Sequence, residues 1–159
     1  MANISQRVPS GSILGGSWVL IKFVTTTDED VIGLANQVQY TEDFKVQPAE
    51  VIGFLGPISY DSLGYSCQLT IGLLAPRPNA KDVSGTPIGT ILNKYFPRRS
   101  NIINDGKLTE IDIHFYDQAD TSDTLNEFVG CVLATNNLTI NPNQYAVRNA
   151  TFFSVERTR

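Results

Sequence analysis

The sequence predicts a mainly β protein, an antiparallel β-sandwich or flattened barrel with one flanking α-helix and a long loop. Several segments alternate apolar and polar residues with the period of two expected of half-buried strands. One segment has its apolar residues at helical spacing instead. At 159 residues the chain is most simply a single domain, 1–159, large enough to bury a core.

A hairpin is predicted near the start of the chain. The apolar run 17–24 has the composition of a strand, and the polar run 25–30 turns it into a second strand at 31–40. The preceding residues, 1–16, are rich in Gly, Pro and Ser. That composition predicts an N-terminal arm without a regular element.

The segment 41–66 is predicted to be a long loop, because Pro48 and several glycines separate its short apolar pieces. A loop of this length is unusual in a compact domain. Its apolar side chains need cover, either from their own domain or from a neighbouring subunit. The next segment, 65–74, is a clearly alternating strand with four residues on one face: Cys67, Leu69, Ile71 and Leu73.

The single helix signal covers residues 86–96. Thr86 suits the N-cap, Pro87 suits the first helical position, and Pro97 ends the helix. Five apolar residues recur at helical spacing: Ile88, Ile91, Leu92, Tyr95 and Phe96. With one apolar stripe, this helix is expected to pack across an open side or end of the β unit.

The last third of the chain predicts three further β segments. In the first, 108–117, one face carries Ile111, Ile113 and Phe115, and the other carries Glu110, Asp112, His114 and Tyr116. After a polar loop, the run 127–134 is apolar on both faces, and Asn136 and Asn137 predict a turn. The final segment, 145–157, alternates nearly to the end of the sequence.

This C-terminal pattern resembles the tail tube proteins of contractile-tailed phages and the inner tube proteins of pyocins and type VI secretion systems. The matching features are a strand that ends in an aromatic and an aspartate, a glycine-centred apolar strand, a polar turn and a last strand with an aromatic. In this sequence they are Phe115, Tyr116 and Asp117; Gly130, Cys131 and Val132; Asn136 and Asn137; and Asn149 to Phe152. The resemblance covers the last third of the chain well and the rest loosely.

The resemblance implies a structural tail tube subunit that assembles into stacked hexameric rings, through which the phage genome passes without specific binding. It implies sheath and baseplate or terminator proteins as partners, and a place in the virion tail after assembly in the host cytoplasm. It also gives the long loop a role in contacting the adjacent ring. The candidates for this stacking contact are Phe44, Val46, Val51, Ile52, Phe54 and Leu55.

One face of the inner sheet of such a tube meets the channel. The polar face of the segment 108–117 supplies the candidates for the channel lining: Glu110, Asp112 and His114. An equally good interpretation is that this face merely meets solvent. The N-terminal arm is expected to contact the next ring together with the long loop.

The charge of the chain fits a conduit better than a nucleic-acid binder. Its formal net charge is −4, from 16 acidic and 12 basic residues, and its longest basic cluster is Arg98–Arg99. Tight binding to nucleic acid depends on neutralising phosphates, so it is disfavoured. The sequence has no apolar run of membrane-spanning length and no signal peptide, so we expect no membrane partner and synthesis in the cytoplasm.

The sequence offers little for catalysis, so we predict no enzyme, no metal site and no cofactor. Its one histidine, His114, lies mid-strand rather than beside a nucleophile. Asp117, Asp120 and Asp123 lack the glycine and glutamate of a calcium-binding EF-hand loop. No CxxC pair, P-loop or GxGxxG motif occurs. The two cysteines lie in apolar strands, where a thiol usually behaves as a small apolar group.

Three alternatives remain open. A monomeric β-sandwich binding module, for instance for carbohydrate, would gather aromatic residues on one exposed face, from among Trp18, Tyr60, Tyr65, Tyr116 and Tyr145. An enzyme on a β scaffold would need a concave pocket with His114 and an acidic partner. A tube of a secretion system or a bacteriocin has the same sequence pattern as a phage tube.

Overall fold

A computed structural model of the chain describes residues 19–31, 35–50, 52–53, 56, 59–77, 79–81, 85–96, 109–117 and 120–158. The predicted N-terminal arm, 1–16, lies outside the described residues. The elements are β1 (Val19–Val24), β2 (Glu29–Val31), β3 (Ala35–Asp43), β4 (Val46–Ala49), β5 (Ser59–Ser62), β6 (Ser66–Leu74), α1 (Ile88–Tyr95), β7 (Glu110–Asp117), β8 (Asp120–Thr139), β9 (Val147–Ser154) and β10 (Glu156–Arg157).

The main sheet is antiparallel and folds over on itself into two layers. Its strand order is β2-β1-β7-β8-β9-β6-β3, with β10 paired to β8. Although β7 and β8 lie between β1 and β9 in this order, the ring of Phe23 in β1 is 6.0 Å from that of Phe152 in β9. The predicted mainly β, antiparallel sandwich-like class is therefore confirmed.

The long strand β8 belongs to both layers. Its first half pairs with β7 up to Val132, and its second half pairs with β9 from Val132 to Thr139. Gly130 lies at the crossover with φ +62, a left-handed conformation that costs glycine little. The Gly130 N–H donates to Asp112 Oδ1 at 3.0 Å, so a side chain of β7 satisfies the backbone where the strand bends.

Two predictions about this region are wrong. The polar loop predicted before residue 127 is largely strand, because β8 begins at Asp120. The turn predicted at Asn136 and Asn137 is also strand, because these residues pair with Ala150 and Asn149 of β9. Pairing along the whole length of β9 satisfies the backbone, which outweighs the turn preference of two exposed asparagines.

The core lies between the layers and is closed at one end by α1. Leu92, Tyr95 and Phe96 are buried, and the Tyr95 ring lies 5.1 Å from the ring of Phe23. The Tyr95 hydroxyl donates to Asp30 Oδ2 at 2.5 Å, which ties the helix to β2. The helix therefore packs across an end of the β unit, as its apolar stripe predicts.

The helix begins later than predicted. Its N-cap is Pro87 rather than Thr86, and Ile88 is the first helical residue. Pro87 has ψ 124, an extended conformation, and forms an isolated bridge with Lys81. This bridge holds Pro87 outside the first turn.

The segment that the sequence leaves as a long loop is partly a second hairpin. β3 extends into it as far as Asp43, and β4 and β5 form a two-stranded antiparallel sheet of their own. The described residues within 44–65, namely 44–50, 52–53, 56 and 59–65, are called here the β4–β5 hairpin. They continue the β3–β6 ribbon through a hydrogen bond from the Leu63 N–H to the Lys45 carbonyl at 3.1 Å. Lys45 has φ 48, so the ribbon changes direction at this residue.

The short strand β10 fills the space between the first half of β8 and β3. Its residues pair with Phe128 and Val129 of β8. Arg157 donates from Nε to Glu42 Oε2 of β3 at 2.8 Å and from Nη1 to Asn126 Oδ1 of β8 at 3.2 Å. In the layer formed by β1, β7 and the first half of β8, the edge next to β8 is therefore already occupied by β10.

Candidate subunit interfaces

The β4–β5 hairpin exposes apolar side chains. Phe44 and Val46 are more than half exposed, and Ile52 is fully exposed. Tyr60 and Leu63, which are not among the stacking candidates predicted from the sequence, are also exposed on this hairpin. The other three stacking candidates, Val51, Phe54 and Leu55, lie outside the described residues. Exposed apolar side chains gathered on one hairpin are a common feature of surfaces that bind other proteins.

The base of this hairpin is held in place by hydrogen bonds. The Ser62 hydroxyl donates to the Phe44 carbonyl at 2.6 Å, and the Tyr65 hydroxyl donates to Glu42 Oε1 at 2.8 Å. The rings of Phe44 and Tyr65 lie 5.4 Å apart. The base of the hairpin is thus held in place, which lowers the entropy that binding through Phe44 would have to overcome.

The predicted channel candidates lie on the outer face of the layer formed by β1, β7 and the first half of β8. Glu110 is exposed, and Asp112 is half-buried with its carboxylate bound to the Gly130 N–H. His114 Nδ1 is 3.2 Å from the Tyr116 hydroxyl. Its Nε2 is 3.3 Å from Glu127 Oε1 but lacks hydrogen-bond geometry. Their role in lining a channel stays a prediction.

A cation completes this charged face. Lys22 of β1 lies opposite His114, with its ammonium 4.4 Å from the centre of the Tyr116 ring and 2.6 Å from Glu29 Oε1. The hydrogen bond to Glu29 raises the pKa of Lys22, so the lysine stays charged. The face therefore carries both signs of charge, held by contacts within the chain.

The outer face of the other layer has a different composition, which the sequence analysis missed. Cross-strand partners across β3, β6, β9 and the second half of β8 form three rows. The rows are Thr41, Gln68, Phe153 and Val132; Gln39, Thr70, Thr151 and Thr135; and Gln37, Gly72, Asn149 and Asn137. None of these residues is ionisable. We call this surface the neutral face.

The sequence contained a signal for the neutral face. Uncharged polar residues occupy alternate positions of β3 and β6, opposite the buried residues of β6. The pattern alone does not mark these residues as a functional surface, because amides and hydroxyls suggest no particular chemistry. Only the pairing of four strands shows that they are neighbours.

This layer also has two long edges. Within the described parts of the chain, β3 pairs with β6 alone and Leu133–Thr139 of β8 pairs with β9 alone. The four strands alternate in direction. A second copy of the chain could therefore place its β3 antiparallel to β8 of the first and continue the sheet.

The thiols are structural. Burial raises the pKa of the Cys131 thiol to about 12, and burial also raises the pKa of the Cys67 thiol. In the part of the chain that the structure describes, no group of three His, Cys, Asp or Glu residues is placed to hold a metal ion. No helix among the described residues is long and apolar enough to cross a membrane.

The aromatic residues expected of a carbohydrate-binding platform lie in separate places. Tyr60 and Tyr65 belong to the β4–β5 hairpin, Tyr116 belongs to β7, and Tyr145 precedes β9. Tyr116 is half-buried beneath Lys22 rather than open to a ligand. Trp18 lies outside the described residues.

The fold of this chain, two antiparallel layers that share a long strand with one end covered by a helix, is similar to that of chains in solved tail and tail tube structures. A chain in the hybrid solid-state NMR and cryo-EM structure of the SPP1 tail tube matches with a TM-score of 0.62 and 10% identity, over 91% of this chain and 77% of that one. A chain in the sheath–tube complex of the extracellular contractile injection system PVC matches with a TM-score of 0.62 and 10% identity, over 93% and 91%. A chain in the C6-symmetric tail of an empty gene transfer agent particle matches with a TM-score of 0.55 and 13% identity, over 91% and 96%.

No protein-family model and no curated protein matches the sequence. The likeness is therefore one of fold, at sequence identities of 10% to 13%. At that level the resemblance to tail tube proteins predicted from the sequence is confirmed.

Proposed function

We propose that this chain is a structural tail tube subunit, which assembles into stacked hexameric rings that form the inner tube for the phage genome. The observation that carries the proposal is the set of exposed apolar residues on the β4–β5 hairpin, which a neighbouring subunit would cover. The shared fold supports it, and one of the matched structures is a tail with C6 symmetry. Sheath and baseplate or terminator proteins are the proposed partners, in a virion tail assembled in the host cytoplasm.

Ring closure would use the two free edges of the four-stranded layer. β3 of one subunit would pair with Leu133–Thr139 of the next, and repetition would join the layers into one closed sheet without exposed edges. Stacking would use the apolar side chains of the β4–β5 hairpin, together with the N-terminal arm, against the adjacent ring. Strand pairing would thus hold the subunits of one ring together, and the hairpin and arm contacts would join one ring to the next.

The overall charge suits such a conduit. With 16 acidic and 12 basic residues the chain has a formal charge of −4. A subunit without an excess of basic residues offers little attraction to the phosphates of passing DNA. This charge is compatible with the proposed passage of DNA without specific binding.

A second candidate is the inner tube of a contractile injection system that carries a protein. The likeness to a chain of the PVC sheath–tube complex favours it, with a TM-score equal to that of the SPP1 match. The two candidates share the assembly and differ in cargo. Nuclease treatment of tubes isolated with their cargo distinguishes them, because only the genome is digested.

The experiment that tests assembly is sedimentation velocity with negative-stain electron microscopy of the purified chain, at low and then high concentration. We expect subunits to give way to rings and open-ended tubes with a central channel as concentration rises. A monomer that persists at high concentration, with and without a preformed baseplate to nucleate it, would refute the proposal. It would favour the binding module instead.

A further inference from the structure

We propose that a basic and apolar surface at the end of the subunit opposite the β4–β5 hairpin is the docking site for that hairpin of a second copy of the chain. We call it the far-end surface, and it consists of residues 75–77, 79–81 and 138–148. This inference rests on the proposed tube function and adds which part of the adjacent ring covers the hairpin.

The hairpin and the far-end surface lie at the two ends of β6. This strand begins directly after the hairpin, and its last residue, Leu74, pairs with Val147 at the start of β9. The segment after β6 and the turn before β9 meet there, where the Ala75 N–H donates to the Ala146 carbonyl at 2.9 Å. A strand of nine residues is about 30 Å long, so the two surfaces are well separated within one subunit.

The far-end surface exposes apolar side chains of its own. Leu138, Ile140 and Tyr145 are 52%, 72% and 83% exposed. The last two flank a turn that is closed by a hydrogen bond from the Gln144 N–H to the Asn141 carbonyl at 3.4 Å. Contact between these side chains and the apolar side chains of the hairpin would remove both sets from water, which favours association.

The charged residues of the hairpin are mainly acidic. The segment 44–65 contains two carboxylates, Glu50 and Asp61, and one basic residue, Lys45, which pairs with Asp43. Both carboxylates are exposed, and neither forms an ion pair with another of the described residues. The hairpin therefore offers negative charge beside its apolar side chains.

The far-end surface is basic. The segments 75–81 and 138–148 contain no Asp or Glu, and their basic residues are Arg77, Lys81 and Arg148. The first two are exposed, and the guanidinium of the third lies 5.7 Å from the centre of the Phe96 ring. The two surfaces are thus complementary in charge as well as apolar, which favours their pairing over contacts between like surfaces.

The charges also favour one direction of stacking. If two rings met hairpin to hairpin, the carboxylates would face one another and repel. That symmetric contact would join only two rings, whereas a contact between the hairpin and the far end repeats from ring to ring. A second copy in the same orientation is therefore the partner that the far-end surface fits.

The test is charge reversal with rescue. The hairpin reversal is Glu50→Lys with Asp61→Lys, the far-end reversal is Arg77→Glu with Lys81→Glu, and a third variant combines the two. All four positions are exposed, so the free subunit should keep its fold, which urea titration verifies. The readout is the critical concentration for tube formation, obtained by sedimentation of tubes from a dilution series.

We expect each reversal to raise the critical concentration by roughly 10-fold or more, and the combination to return it to within about threefold of the wild-type value. A combination no better than either reversal would overturn the proposal. Glu110→Lys, an exposed change on the charged face, provides the control and should not raise the critical concentration.

Net charge alone predicts a different pattern. Each exchange of a carboxylate for a lysine adds two charges, so the hairpin reversal changes the formal net charge from −4 to −4 + 4 = 0, and the far-end reversal changes it to −4 − 4 = −8. If repulsion between whole subunits governed assembly, the hairpin reversal would lower the critical concentration. That result would overturn the proposal, because complementarity requires both reversals to raise it.

A photo-cross-link tests the contact itself. Benzoylphenylalanine replaces Tyr60, which is 68% exposed on the hairpin, and the assembled tubes are irradiated and digested for mass spectrometry. We expect cross-links to peptides of the far-end surface. Cross-links to other segments without any to the far-end surface would overturn the proposal.

The outcome separates this inference from the tube function. Tubes of the wild-type chain are verified by microscopy first, and their failure to form would refute both together. Wild-type tubes without charge rescue, or without the cross-link, would refute the inference alone.

Discussion

Replacing Ile52 with serine should weaken tube assembly without weakening the fold. Ile52 lies in the β4–β5 hairpin and is fully exposed in the single chain, so its whole side chain is available for a contact with the next ring. Burying an aliphatic side chain of this size contributes about 1.5–3 kcal/mol. Loss of that contact corresponds to a fall of roughly 10- to 150-fold in the association constant for stacking.

The measurement is the critical concentration for tube formation, obtained by sedimentation of tubes from a dilution series. For Ile52→Ser it should rise by roughly 10- to 150-fold, in line with the lost burial. The urea midpoint of the free subunit should stay unchanged, since surface substitutions usually alter stability by no more than about 0.5 kcal/mol.

A matched valine pair provides the control. Val46 of the β4–β5 hairpin is 58% exposed, and Val31 of β2 is 51% exposed on the layer that the proposed contacts do not use. Val46→Ser should raise the critical concentration and Val31→Ser should not. An unchanged critical concentration for both Ile52→Ser and Val46→Ser would refute stacking through this hairpin.

Three further predictions concern the subunit itself. Phe152→Ala, in the core, should lower the free energy of unfolding by about 3–5 kcal/mol, while Phe153→Ala, on the exposed side of the same strand, should change it by less than about 1 kcal/mol; equal losses in urea titrations would contradict the two-layer assignment. Gly130→Ala should cost about 1–3 kcal/mol by the same assay, because its φ is +62 and the added methyl would lie 2.9 Å from a neighbouring valine; an unaffected variant would argue against the bend. The native subunit should not react with a thiol reagent at neutral pH, and both Cys67 and Cys131 should react after unfolding; rapid reaction of the folded chain would disprove their burial.

The strands with one buried face were predictable from the sequence, because burial there follows the period of two. β6 is the clearest example, since Cys67, Leu69, Ile71 and Leu73 are all buried, as the alternation predicts. The apolar stripe of α1 likewise predicted its burial. In both elements the local pattern and the tertiary environment agree.

The course of β8 was not predictable in the same way. Its polar beginning and its two exposed asparagines have turn-like composition, yet they are strand because β7 and β9 supply backbone partners along its length. Those partners are distant in sequence, and a single-sequence pattern does not contain their register. The β4–β5 hairpin was read as a loop for a related reason, since its side chains are nearly all exposed and no alternation of burial marks it.

The candidate interfaces show the same difference between features marked by a local sequence pattern and features made by pairing of distant segments. The stacking candidates could be named from the sequence because apolar residues in an irregular segment are conspicuous, and Phe44, Val46 and Ile52 are indeed exposed. The neutral face could not be named, because Gln39, Thr70 and Thr151 come from three segments that only the sheet order joins. A surface made by cross-strand pairing requires the topology before its chemistry can be recognised.

A helical cryo-EM reconstruction of tubes formed by the purified chain tests the central claim most directly. We predict closed rings of six subunits, with β3 of each subunit paired to Leu133–Thr139 of its neighbour and the β4–β5 hairpin in contact with the adjacent ring. Open filaments without a channel, or rings joined through β2 instead, would contradict the account.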